Sequence, residues 1–151
     1  MDFRSLWSLS PQARPASVVT GAGYRITVLT PRLLRLEYEP DGQFCDSATF
    51  LATCRDFPPA DFTVSRERGW LTLETTHLRL RYDERPFSAA GLYVTLKGAY
   101  ADFASVWRYG QATDNLGGTV RTLDTVDGET PWRTASCPPR ASPRWMTRTP
   151  C

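Results

Sequence analysis

The chain has 151 residues, 41% hydrophobic and 23% charged, which suits one domain with a real core and fits neither a disordered chain nor a membrane protein. Its formal net charge of +2 hides a split. Residues 1–129 carry 14 basic and 16 acidic side chains, whereas residues 130–151 carry Arg133, Arg140, Arg144 and Arg148, no acid, and five of the 12 prolines.

Residues 1–22, with Pro11 and Pro15, read as a flexible lead-in. The start, Met1 to Trp7, has an acid at position 2 and no apolar run of signal-peptide length. No stretch approaches the ~20 apolar residues that span a bilayer, so a cytoplasmic chain with no membrane partner is expected. From residue 23 the pattern has a period of two. Tyr24, Ile26 and Val28 alternate with Arg25 and Thr27, and Leu34, Leu36 and Tyr38 with Arg35, Glu37 and Glu39. Thr49 to Cys54 and Phe62 to Ser65 form shorter runs. Leu71 and Leu73, then Leu78, Leu80 and Tyr82, then Leu92, Val94 and Leu96 repeat the alternation. Turn formers separate the runs: Thr30-Pro31, Pro40-Asp41-Gly42, Pro58-Pro59, Arg68-Gly69 and Arg85-Pro86. No window carries a helical stripe. Seven or so short strands with one face on a core and one toward water predict an all-β, antiparallel β-sandwich.

Reactive chemistry is sparse. The acids fall on the polar faces of strands (Glu37, Glu39, Glu74) or in turns (Asp41, Asp83, Glu84), and none stands out as the carboxylate pair that glycoside hydrolysis needs. His77 is the only histidine, placed on the polar face of a strand, so no histidine cluster can hold a metal. Cys45, Cys54, Cys137 and Cys151 match no metal or redox spacing and are expected as free thiols, Cys54 within a strand. Gly117-Gly118 is too short to cradle a phosphate. Arg79 and Arg81 share a face near Trp70 and Tyr93, as in a single-strand nucleic-acid binder, but the acidic body argues against such a partner. Trp107-Arg108-Tyr109 either stacks on a sugar or fills the sandwich edge. No catalytic, cofactor-binding or metal residue is assigned, and no cofactor is expected.

The run from Tyr24 to Tyr38 resembles the start of the N-terminal domain of glycoside hydrolase family 31, which includes α-glucosidases and α-xylosidases. Thr76 to Tyr82, Pro86-Phe87-Ser88 with Gly91 to Val94, Trp107 to Gly110, and Asn115 to Asp124 fit in the same order. The resemblance covers about residues 23–128. It implies a galactose-mutarotase-like sandwich that packs against a (β/α)8 barrel. In the family, a barrel Asp nucleophile and a barrel Asp acid/base hydrolyse α-glycosides with retention. No residue here matches those motifs, so the chain alone is expected to be inactive, with carbohydrate as the parent enzyme's partner and the barrel as the sandwich's intramolecular partner.

The tail, residues 129–151, is expected to be disordered and out of frame. Arg outnumbers Lys 17 to 1, as in a GC-rich gene. Trp145-Met146-Thr147 must be encoded TGG ATG ACN. Read one nucleotide earlier, that becomes Leu, Met or Val followed by two aspartates. Trp132 to Pro138 read the same way permits Leu-Glu-Asp-Gly-Ile-Leu-Ser, similar to the family where its chain continues. A frameshift between about Gly128 and Trp132 is expected, leaving a truncated fragment with an exposed barrel-facing surface and poor solubility. Two rivals stand beside this reading. One is a free-standing sugar-binding module, the other a structural sandwich unrelated to sugars.

Overall fold

The structure, a computed structural model, describes residues 9–48, 52–98 and 105–112. It is all-β apart from a single 3-10 turn at Pro15–Ser17 among those residues. Two antiparallel sheets form the sandwich. The smaller has the order β1-β2-β3, with β1 at Val18–Gly21, β2 at Tyr24–Thr30 and β3 at Leu33–Tyr38. The larger runs β4 (Phe62–Glu67), β5 (Trp70–Thr75), β6 (Leu78–Tyr82), β7 (Leu92–Leu96) and β8 (Val106–Arg108) in sequence order. Every pairing among the eight described strands is between chain neighbours, so each sheet is a meander.

The alternation dictates which residues meet. Ile26 pairs with Leu36 and Val28 with Leu34 across β2 and β3, so their side chains share the inner face. Leu73 opposite Leu80, and Leu80 opposite Val94, do the same across the larger sheet. Tyr24, Ile26, Val28, Leu71, Leu73, Leu80, Tyr82 and Leu92 are all but sealed from solvent. Each such side chain contributes about 1.5–3 kcal/mol of hydrophobic stabilisation.

The turns follow from backbone demands. Arg68 and Gly69 close the β4–β5 hairpin with φ of 51° and 78°, the pair of left-handed residues a type I′ turn needs. At the β1–β2 hairpin Gly21 lies opposite Tyr24, and a Cβ there would sit 2.2 Å from a Tyr24 ring carbon. The ring thus lies on the bare glycine backbone.

Two polar ties join the sheets at opposite ends. At one end, the buried Thr75 hydroxyl donates to the Pro31 carbonyl at 2.6 Å and accepts from the Leu78 and His77 backbone N–H groups at 2.9 and 3.2 Å. At the other, the Tyr24 hydroxyl donates to Glu84, and Arg66 bonds both groups.

Several expectations need correction. Residues 18–21, expected within the lead-in 1–22, pair with β2 as a strand. Of the expected strand from Thr49 to Cys54, the described residues show only isolated bridging positions, Cys54 pairing in parallel with Ser10. His77 sits half-buried in the bend between β5 and β6, not on a strand, where its carbonyl accepts the Lys97 N–H at 2.7 Å. Cys54 is free and exposed as a thiol, but Cys45 is disulfide-bonded. The smaller sheet's outer face also departs from a water-facing surface, because Thr27 there is buried and Arg25, Arg35 and Glu37 are only slightly exposed. The tail 129–151, Gly117-Gly118 and the Asn115 to Asp124 motif lie outside the described residues.

Candidate functional site

Three constellations hold most of the chemistry. The first is an aromatic chain at the inner end of the sandwich. Tyr24 meets Tyr82 edge-on at 5.0 Å, Tyr82 meets Phe87 at 5.3 Å, and Phe87 meets Tyr109 at 5.3 Å. Tyr38 joins at Phe87 and Trp107 at Tyr109. Such edge and tilted pairs add about 0.5–1.5 kcal/mol each beyond their buried area. Trp107 is buried and Tyr109 packs on the core, so this segment fills the sandwich.

The rim of that chain is charged. Glu84 adopts a left-handed φ of 58°, uncommon for a residue with a side chain, and from there accepts the Tyr24 hydroxyl and the Arg66 guanidinium. The Tyr24 hydrogen bond, more than any other contact, holds the Glu84 carboxyl below its ordinary value. Burial, and then Glu84, push the Tyr24 hydroxyl above its ordinary value. Asp83 caps the Arg85 N–H at 3.1 Å. Both carboxylates of this turn thus help to hold the chain in place.

The second constellation lies on the outer face of the smaller sheet. Arg25 forks onto Glu37 at 2.7 and 3.0 Å and onto Asp46 at 2.7 and 3.1 Å. It also lies 4.7 Å above the Phe44 ring. Arg35 reaches Glu37 at 2.6 Å and the Cys45 carbonyl at 2.7 Å. Burial disfavours the Arg25 charge, but the bonds to Glu37 and Asp46 outweigh it and raise its pKa. Arg25 in turn holds the Asp46 carboxyl below its ordinary value. This network straps residues 44–46 across β2 and β3. Beside it, the buried Arg55 guanidinium donates to the Pro11 and Ser47 carbonyls at 2.8 and 3.1 Å.

The third is the outer face of the larger sheet. Arg81 stacks 4.8 Å above Trp70, Arg108 stacks 4.9 Å above Tyr93, and the two rings meet at 6.0 Å. Further along, Glu74 is gripped by Arg79 at 2.7 Å and Lys97 at 3.0 Å. A shallow cavity of about 310 Å³ opens there, lined by Asp61, Phe62, Thr63, Glu74, Thr75 and Lys97.

Of the acids that the sequence places on polar faces, Glu37 and Glu74 each hold a cation, as does Glu84 among those placed in turns. Glu39 and Asp41 are exposed near the end of β3. The closeness of Arg81 to Trp70 and Tyr93 is legible from strand parity. The Tyr24–Glu84–Arg66 cluster is not, since it depends on two distant strands and a left-handed turn residue. Among the described residues no group of three or more His, Cys, Asp or Glu could hold a metal ion. None of their helices is long and apolar enough to cross a membrane. No protein-family model and no curated protein matches the chain, so its residues and geometry alone carry the functional reading.

Proposed function

We propose that residues 23–128 are the N-terminal β-sandwich of a retaining α-glycosidase of glycoside hydrolase family 31, a part that supports a catalytic barrel and does no chemistry itself. One observation carries this reading. The aromatic residues of four separate motifs (Tyr24 and Tyr38, Tyr82, Phe87, Trp107 with Tyr109) join into one contact chain in the core. Motifs that recur in order for a shared structural reason should converge in this way. The committed carboxylates of the rim fit a chain whose acid/base pair lies elsewhere.

The nucleotide sequence through codons 125–151 and onward tests it. Read one nucleotide earlier, the gene should continue into a (β/α)8 barrel with an Asp nucleophile and an Asp acid/base. A gene with no barrel-coding frame downstream overturns the proposal.

The stacked Trp70–Tyr93 face favours a second reading, a sugar-binding module that acts alone. Saturable binding of maltose, isomaltose or xylosyl sugars by the 151-residue chain would support that reading. A lack of binding by these neutral sugars fits the supporting domain.

A further inference from the structure

Six described arginines lie on strands, and four of them pair with a carboxylate: Arg25 and Arg35 with Glu37, Arg66 with Glu84, and Arg79 with Glu74. The other two, Arg81 and Arg108, meet aromatic rings instead. Among the described residues neither has a carboxylate partner, and Arg108 has one hydrogen bond, to the Ala89 carbonyl at 3.3 Å. Stacking uses the flat face of a guanidinium. A contact made through the ring spends no N–H donor, so apart from the Arg108 bond to Ala89 the donors of both guanidinium groups remain to take a carboxylate.

The register fixes their spacing. Arg81 lies opposite Tyr93, and Tyr93 lies opposite Arg108, so the two arginines leave the sheet from strands two apart, on either side of Tyr93. At the usual strand separation their Cα atoms are roughly 10 Å from each other. The surrounding face has more bases than acids: Arg79 and Lys97 share the carboxylate of Glu74, and Glu67 stands opposite Trp70, against four cations with Arg81 and Arg108. Residues 1–129 as a whole have two more acids than bases, so this is a basic patch on an acidic body.

The rest of the face decides what kind of anion it suits. Thr72 stands opposite Arg81 and Ser65 opposite Thr72, with Thr95 two residues beyond Tyr93 on the same face. A protein partner would want a desolvated apolar centre, and hydroxyls occupy that place instead. A nucleic-acid base would want an open ring face, and a guanidinium already covers one face of each ring.

We propose that the outer face of β5–β8 binds a polyuronate glycan, with Arg81 and Arg108 taking two carboxylates of one chain and the Trp70 and Tyr93 edges and threonine hydroxyls meeting its sugar rings. The proposal stands on this face alone, so it holds or fails independently of the downstream barrel sequence.

Calorimetric titration of the 151-residue chain with hexagalacturonate tests it, beside the methyl-esterified hexamer, a hexaglutamate peptide and an oligo-dT strand. Saturable binding of the free acid is expected, with at least tenfold weaker binding of the ester. Arg81→Lys keeps the charge without the fork and should also lose at least tenfold. Arg108→Gln, at an exposed position on β8, should do the same even where a change on β6 disturbs folding. No binding, equal binding of the ester, or peptide or oligo-dT binding as tight as the free acid's each overturns the proposal.

Discussion

Tyr24→Phe isolates the polar tie at one end of the sandwich. The ring is 1% exposed and meets Tyr82 at 5.0 Å, and Phe retains all of that packing. Only the hydroxyl is lost, with its bonds to Glu84 and Arg66. A hydrogen bond to a charged group contributes about 1.5–3 kcal/mol, and the loss is largest where its partner is left buried and unpaired. Here neither partner is stranded: Arg66 and Glu84 stay bonded at 3.0 Å, with side chains 49% and 32% exposed. The expected cost is therefore about 1 kcal/mol, well short of the roughly 3–5 kcal/mol for removing such a ring entirely. Urea denaturation followed by tryptophan fluorescence should show a lower midpoint at unchanged slope. A carboxyl NMR titration should show the Glu84 pKa rising toward its ordinary value, because the Tyr24 bond is the largest cause of its depression. A cost equal to that of Tyr24→Ala, or an unmoved Glu84, would refute the reasoning.

The tie at the other end is less forgiving. Thr75→Val keeps shape but leaves the buried Leu78 N–H and the Pro31 carbonyl without their partner, for an expected loss of about 1–3 kcal/mol in urea denaturation. Arg68 has φ of 51° at the first turn position of the β4–β5 hairpin, so Arg68→Asn should raise the thermal midpoint by about 0.5 kcal/mol equivalent. Acid should destabilise the fold. Asp46 and Glu84 have folded pKa values below their ordinary ones, so the unfolded chain binds more protons there. Their stabilisation is complete above about pH 4.5 and is lost as pH falls through the folded values, and Asp46→Asn should flatten that slope in denaturation series. Tyr24 and Tyr82 are raised, chiefly by burial, so their contribution is complete below about pH 10 and fades as pH climbs higher.

Period-two alternation made β2, β3, β5, β6 and β7 legible, because each turns its alternate apolar side chains onto the core, those of β3 only partly buried. β1 carries no such mark: it has four residues, ends on Gly21, and alternates nothing. β8 is three residues long, too short for a period, though Trp107 within it points into the core as a large apolar residue should. The smaller sheet's outer face misled in a specific way. Arg25, Thr27, Arg35 and Glu37 have the composition of a wet surface, and only the return of residues 44–46 across the sheet turns them into a half-buried ion network. Composition along one strand does not contain that return. His77 shows the opposite limit, a residue one step before β6 whose role is set by the turn rather than by strand parity.

Among the described residues the sheets are unequal in breadth. Five strands at ~4.8 Å spacing reach about 19 Å across, and three reach about 10 Å. The shortfall shows at β4, where the core-facing side chains Val64 and Arg66 are exposed, Val64 at 36%. A strand hydrogen-bonded along one side and thinly covered on its inner side is a low-energy opening unit. Amides of β4 should therefore exchange with solvent ahead of those of β5 and β6, with the Arg66–Glu84 contact as the latch that sets the rate. The sandwich unfolds, on this account, from one hem inward.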